Sequence, residues 1–83
     1  LNLPASNFTY ETKNVGEMIF IRIQAFTFIY QLYITCKNAD GVFSDNYFDL
    51  LAGDTVTIYF SPVEKSIDFK YDFNLNTAMN TGN

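Results

Sequence analysis

Three glutamates, Glu11, Glu17 and Glu64, are the first residues in this chain to test for chemistry. Two carboxylates facing each other across a glycosidic bond, about 5–5.5 Å apart, hydrolyse it with retention of configuration. All three glutamates, however, fall in turns or at strand edges, and no spacing makes a pair of them converge. Ordinary solvated charge is their expected role. The chain has no histidine, which removes the usual general base and the commonest transition-metal ligand. Asp40, Asp45, Asp49 and Asp54 crowd one stretch and could supply oxygens to Ca²⁺, which favours carboxylates and backbone carbonyls. Their spacing does not follow the alternate-residue calcium loop. Capping and turn roles are expected instead for Asp45, Asn46 and Asp54, whose short side chains bond nearby backbone N–H groups. No catalytic residue, metal or cofactor is therefore expected. The single cysteine, Cys36, cannot form an internal disulfide, and alternation puts it on the apolar face of a strand as a small buried hydrophobe.

Tyr and Phe make up 18% of the residues, with no tryptophan, so a sugar-stacking platform has to be weighed. Most rings fall on apolar faces. Phe20, Tyr33 and Tyr59 are the ones expected to point outward, and a contact surface for a neighbouring domain suits them better than a glycan site, because interfaces favour Tyr and Phe. A net charge of −4 opposes a phosphate backbone and excludes nucleic acid as a partner. No apolar run approaches the roughly 20 residues that span a bilayer, no signal-peptide pattern opens the chain, and no membrane role is expected. A start at Leu1 rather than methionine suggests a processed protein or an excised fragment. Asn7-Phe8-Thr9 fits the N-glycosylation triplet, which matters only in a secreted eukaryotic protein.

The elements that must position these residues read as strands. Period-two alternation of β-branched and aromatic residues recurs along the chain. Phe8, Tyr10 and Thr12 share one face of a first strand, which Asn14-Val15-Gly16 ends as a turn. Ile19, Ile21, Ile23 and Ala25 form the dry face of a second, with Phe20, Arg22 and Gln24 opposite. After Phe26-Thr27, a central strand sets Phe28, Tyr30, Leu32, Ile34 and Cys36 on one face against Ile29, Gln31, Tyr33, Thr35 and Lys37. Residues 37–41 form a turn in which Gly41 is expected to accept positive φ. A tight corner is expected around Leu50, Leu51 and Gly53, with one helical turn at residues 47–51 as the only place for helix. Val56, Ile58 and Phe60 lead a further strand until Ser61-Pro62, where the missing N–H of proline opposes central pairing. A last strand alternates Ile67, Phe69, Tyr71 and Phe73. The expected layout is one immunoglobulin-like all-β sandwich of antiparallel strands over residues 1–74, followed by a polar tail at 75–83.

Phe43-Ser44-Asp45-Asn46-Tyr47-Phe48-Asp49-Leu50-Leu51-Ala52-Gly53-Asp54 resembles the signature of the C-terminal immunoglobulin-like domain of β-mannosidase-type family-2 glycoside hydrolases. That pattern runs Phe-Ser-Asp-Asn-Phe/Tyr-Phe-Asp-Leu-Leu-Pro-Gly-Glu and then an alternating strand; here Ala52 replaces the proline and Asp54 the glutamate. The opening Leu3-Pro4 and the strand order fit as well. The resemblance implies a parent that cleaves terminal β-linked mannose with two glutamates on a separate barrel domain, so no catalytic residue carries over. It implies an accessory module whose partners are the other domains of the parent glycosidase. In the signature, Phe43, Phe48, Leu50 and Leu51 are expected to anchor a crossing loop, Asp45 and Asn46 to hold its backbone, and Gly53 to allow the sharp turn. A glycan partner belongs to the alternative, a carbohydrate-binding or adhesion-type interaction module. The lack of a disulfide suits a bacterial glycan-degrading enzyme, periplasmic or secreted.

Overall fold

The structure, a computed structural model, describes residues 7–64 and 69–77. Seven strands, β1 (Phe8–Val15), β2 (Met18–Ala25), β3 (Ile29–Cys36), β4 (Gly41–Phe43), β5 (Phe48–Leu50), β6 (Thr55–Pro62) and β7 (Phe73–Thr77), make up its regular structure. They form two antiparallel sheets, ordered β1-β2-β6-β4 and β5-β3-β7. The expected immunoglobulin-like β-sandwich is the fold.

Alternation explains the core directly. Ile19, Ile21, Ile23 and Ala25 of β2 lie beside Ile58 and Phe60 of β6, and together they face Ile29, Leu32, Ile34 and Leu50 of the second sheet. Each such side chain contributes roughly 1.5–3 kcal/mol when it leaves water. Phe60 is the hub, with ring centroids 4.7 Å from Phe43, 5.2 Å from Phe73 and 5.7 Å from Tyr71. Edge-to-face aromatic contacts of this kind add to the burial term.

Several expectations change. The first strand continues through Val15, and the turn is the two-residue loop Gly16-Glu17, with Gly16 at φ +62° where a tight hairpin requires glycine. The alternation of β3 breaks: Ile29 faces Leu50 and Leu32 faces Phe48, so three steps along β3 match two along β5. The extra residue is a bulge, with Gln31 at φ +54°. It turns Ile29 inward and leaves Phe28 and Tyr30, expected on the apolar face, 45% and 46% exposed. The last strand is β7, which runs through residues 75–77 of the expected tail and buries Thr77, whereas Phe69 and Tyr71 precede it. Ile67 and residues 78–83 lie outside the described residues. Residues 47–51, where one helical turn had room, form none; β5 occupies 48–50.

Cys36 is only half-buried and its thiol lies 3.3 Å from Asn38 Oδ1. β6 pairs with β2 only as far as Phe60, and Pro62 meets Gly41 of β4 on the other side. Gly41 does not have a positive φ. It is there for close approach, because an added Cβ would sit 2.5 Å from the Phe60 ring and 2.6 Å from the Ser61 carbonyl. We expect Gly41→Ala to lower unfolding free energy in urea by about 1–3 kcal/mol, since backbone and a buried ring would both have to move.

Candidate functional site

The signature is where the chain leaves one sheet and enters the other. β4 belongs to the four-stranded sheet and β5 to the three-stranded sheet, with residues 44–47 between them. Such a crossing strips two strand ends of their ladder partners, and buried backbone groups without partners cost about 1–3 kcal/mol each. Side chains of the signature replace the missing groups.

At the first end, Ser44 N–H donates to the Tyr59 carbonyl at 2.8 Å, and Ser44 Oγ accepts from Tyr59 N–H at 2.9 Å. The hydroxyl stands in for a backbone carbonyl. At the second end, Asn46 Oδ1 accepts from Ile34 N–H at 2.7 Å and Asn46 Nδ2 donates to the Ile34 carbonyl at 2.9 Å. Leu32 pairs with Phe48, so position 46 is where antiparallel register would place the next partner of Ile34. One amide side chain thus extends the β5 ladder after the backbone has turned away. Between them Asp45 Oδ1 accepts from Asn46 N–H at 2.8 Å.

The remaining aspartates of this stretch act in the same way. Asp49 Oδ1 accepts from Gln31 N–H at 2.9 Å and so satisfies the amide that the β3 bulge displaces. Asp54 Oδ2 accepts from Leu51 N–H at 2.8 Å, closing a turn in which Gly53 takes φ +91° and donates to the Ala25 carbonyl. Phe43 and Phe48 are half-buried against the core and Leu50 is buried. Leu51, expected to anchor the loop, is instead 62% exposed, because the turn points it outward. Asp40, Asp45, Asp49 and Asp54 do not converge; the described residues hold no group of three that could grip a metal.

The rings expected to point outward divide between two faces. Phe20 and Tyr59 are direct cross-strand partners on the outer side of the four-stranded sheet, with centroids 4.6 Å apart. Glu11 lies on the same side, paired with Arg22 at 2.9 Å and exposed. Tyr33 lies on the other sheet, stacked on Tyr47 at 5.2 Å and 19°. Sequence reasoning missed Tyr47, Phe28 and Tyr30 as surface rings. Period-two reading could not find them, because the bulge that exposes two of them is fixed by a residue eighteen positions away.

The family model of the mannosidase immunoglobulin-fold domain (Ig_mannosidase: Ig-fold domain) matches residues 3–81. The chain belongs to this family. No curated protein and no solved structure gives a match. In this mannosidase-type Ig-fold domain the crossing is held by Asn46 more than by any other polar side chain, because it alone serves both a donor and an acceptor of one residue. Asn46→Ala should therefore cost about 2 kcal/mol or more in chemical denaturation. Asn46→Asp should recover part of that loss, because it keeps the acceptor for Ile34 N–H and loses the donor.

Proposed function

We propose that this domain is a non-catalytic, C-terminal accessory domain of a β-mannosidase-like glycoside hydrolase, packing against its parent enzyme and stabilising it. The observation that carries this reading is how the signature spends its polar groups. Ser44, Asp45, Asn46, Asp49 and Asp54 each accept a hydrogen bond from backbone within the domain. A carboxylate that closes a turn in this way is positioned for architecture, and the carboxylates are spread over the fold instead of paired across a cleft.

The outer face of the four-stranded sheet suits the contact with the parent. Phe20 and Tyr59 form its apolar centre, and Lys13, Arg22 and Glu11 border it. Aromatic rings beside an arginine are the composition that protein interfaces favour. Hydrolysis then belongs to another part of the parent.

Two measurements test the reading. The 83-residue chain should not hydrolyse 4-nitrophenyl β-mannoside, and measurable turnover by purified chain would remove the proposal. In the full-length parent, Phe20→Ala with Tyr59→Ala should lower the melting temperature by about 2–4 °C or more. The same pair should shift the free chain less. Equal shifts in both would mean that this face is not the contact.

A further inference from the structure

The two outer faces of the sandwich differ in chemistry. The face with Phe20 and Tyr59 is bordered by charge, as described. On the three-stranded sheet the outward positions of β3 and β7 are Tyr33, Thr35, Asn74 and Asn76, with Tyr33 opposite Asn76 and Thr35 opposite Asn74. The bulge adds Phe28 and Tyr30, whose rings lie 6.5 Å apart at 29°. Tyr47, 63% exposed, stacks on Tyr33. None of these side chains is charged. Asp49, which borders them, is engaged with Gln31.

The amides on this face are unspent. Asn38 and Asn46 are both committed to backbone groups. The side chains of Asn74 and Asn76, by contrast, carry no hydrogen bond among the described residues. The backbone also concentrates its strain here. The non-glycine residues with positive φ among the described residues are Gln31 at +54° and Tyr47 at +58°. Each such conformation costs of order 1–3 kcal/mol and persists where the surroundings enforce it, often at ligand clamps. The enforcing groups are Asp49 for Gln31 and, next to Tyr47, Asn46. One strained residue turns Phe28 and Tyr30 outward, and the other holds its own ring over Tyr33.

We propose that the outer face of the three-stranded sheet is a binding site for an uncharged, extended oligosaccharide. Sugar rings offer apolar C–H faces to Tyr47, Tyr33, Phe28 and Tyr30, and hydroxyls to amides that can both donate and accept. The charged residues at this outward register, Lys37 and Asp72, lie beyond Thr35 and Asn74 at the far end of the strand pair, about 13 Å of strand from Tyr33, so the rings themselves meet no free charge. Tyr30 and Tyr33 are separated by about 10 Å of strand, so several linked sugar units are needed to touch both ring pairs. The proposal does not depend on the accessory role, which concerns the opposite face and is read out in the parent's stability.

The test is a titration of the ¹⁵N-labelled 83-residue chain with mannohexaose, cellohexaose, mannose and a galacturonate hexamer. The expected result is amide shifts confined to residues 28–35, 46–47 and 74–76 with at least one neutral hexasaccharide, at a Kd of about 1 mM or below. Mannose and the acidic hexamer should bind at least about tenfold more weakly. Tyr47→Gly removes the ring and relieves the positive φ, so it should fold as well as the parent sequence or better while weakening binding about tenfold or more. Phe20→Ala should leave binding unchanged. No shift with either neutral hexasaccharide at about 10 mM overturns the proposal. So do shifts that map to the Phe20 face, equal binding of the acidic hexamer, or undiminished binding by folded Tyr47→Gly.

Discussion

The structure depends on one constraint: a strand that ends in one sheet must begin again in the other without leaving backbone groups bare. Within residues 44–46 the chain makes that passage, and it does so because a hydroxyl and an amide side chain occupy the places of backbone partners. An apolar residue at position 46 would leave both the donor and the acceptor of Ile34 unpaired beside the core. This explains why small polar residues sit between Phe43 and Phe48, which pack on either side of the crossing.

The same device works at a distance. Asp49 reaches from β5 to the displaced amide of Gln31, so the segment that joins the sheets also fixes the phase of its neighbour strand. Asp54 closes the next turn, and Gly53 and Asp54 together bind that turn to Ala25 at the end of β2. Two connections and one bulge of the fold are thus set by side chains from one continuous stretch. The apolar residues of that stretch supply burial, but its polar residues decide where each strand stops.

How far the sequence foretold this differs by element. β2 and β6 were fully legible, because both are central strands whose inward residues are Ile and Phe at strict alternation. β3 was legible only beyond Leu32, since its bulge depends on a partner outside any local window. β7 was misplaced for a different reason: its sequence FNLNT is polar at alternate positions and short, so it resembles a tail until Cys36, Ile34 and Leu32 are seen to pair with it. The sequence identifies the crossing as a loop with capping polar residues. Which backbone group each residue would satisfy required the register of both sheets. The outward rings were half-legible: Phe20 and Tyr59 follow from alternation, whereas Tyr47 needs a left-handed backbone that no propensity suggests.

The bulge in β3 also bears on how this surface can change through descent. A substitution at a ring alters that ring alone, yet the inward or outward setting of both Phe28 and Tyr30 is governed by the bulged backbone at Gln31. Loss of the Gln31 codon would leave Ile29 two steps from Leu32, matching the two steps from Leu50 to Phe48, and would keep both rings outside; flattening the bulge with every residue retained would instead turn both rings inward and Ile29 outward. A replacement at Asp49, on a different strand from either ring, is therefore the event that can erase an exposed aromatic face in one generation.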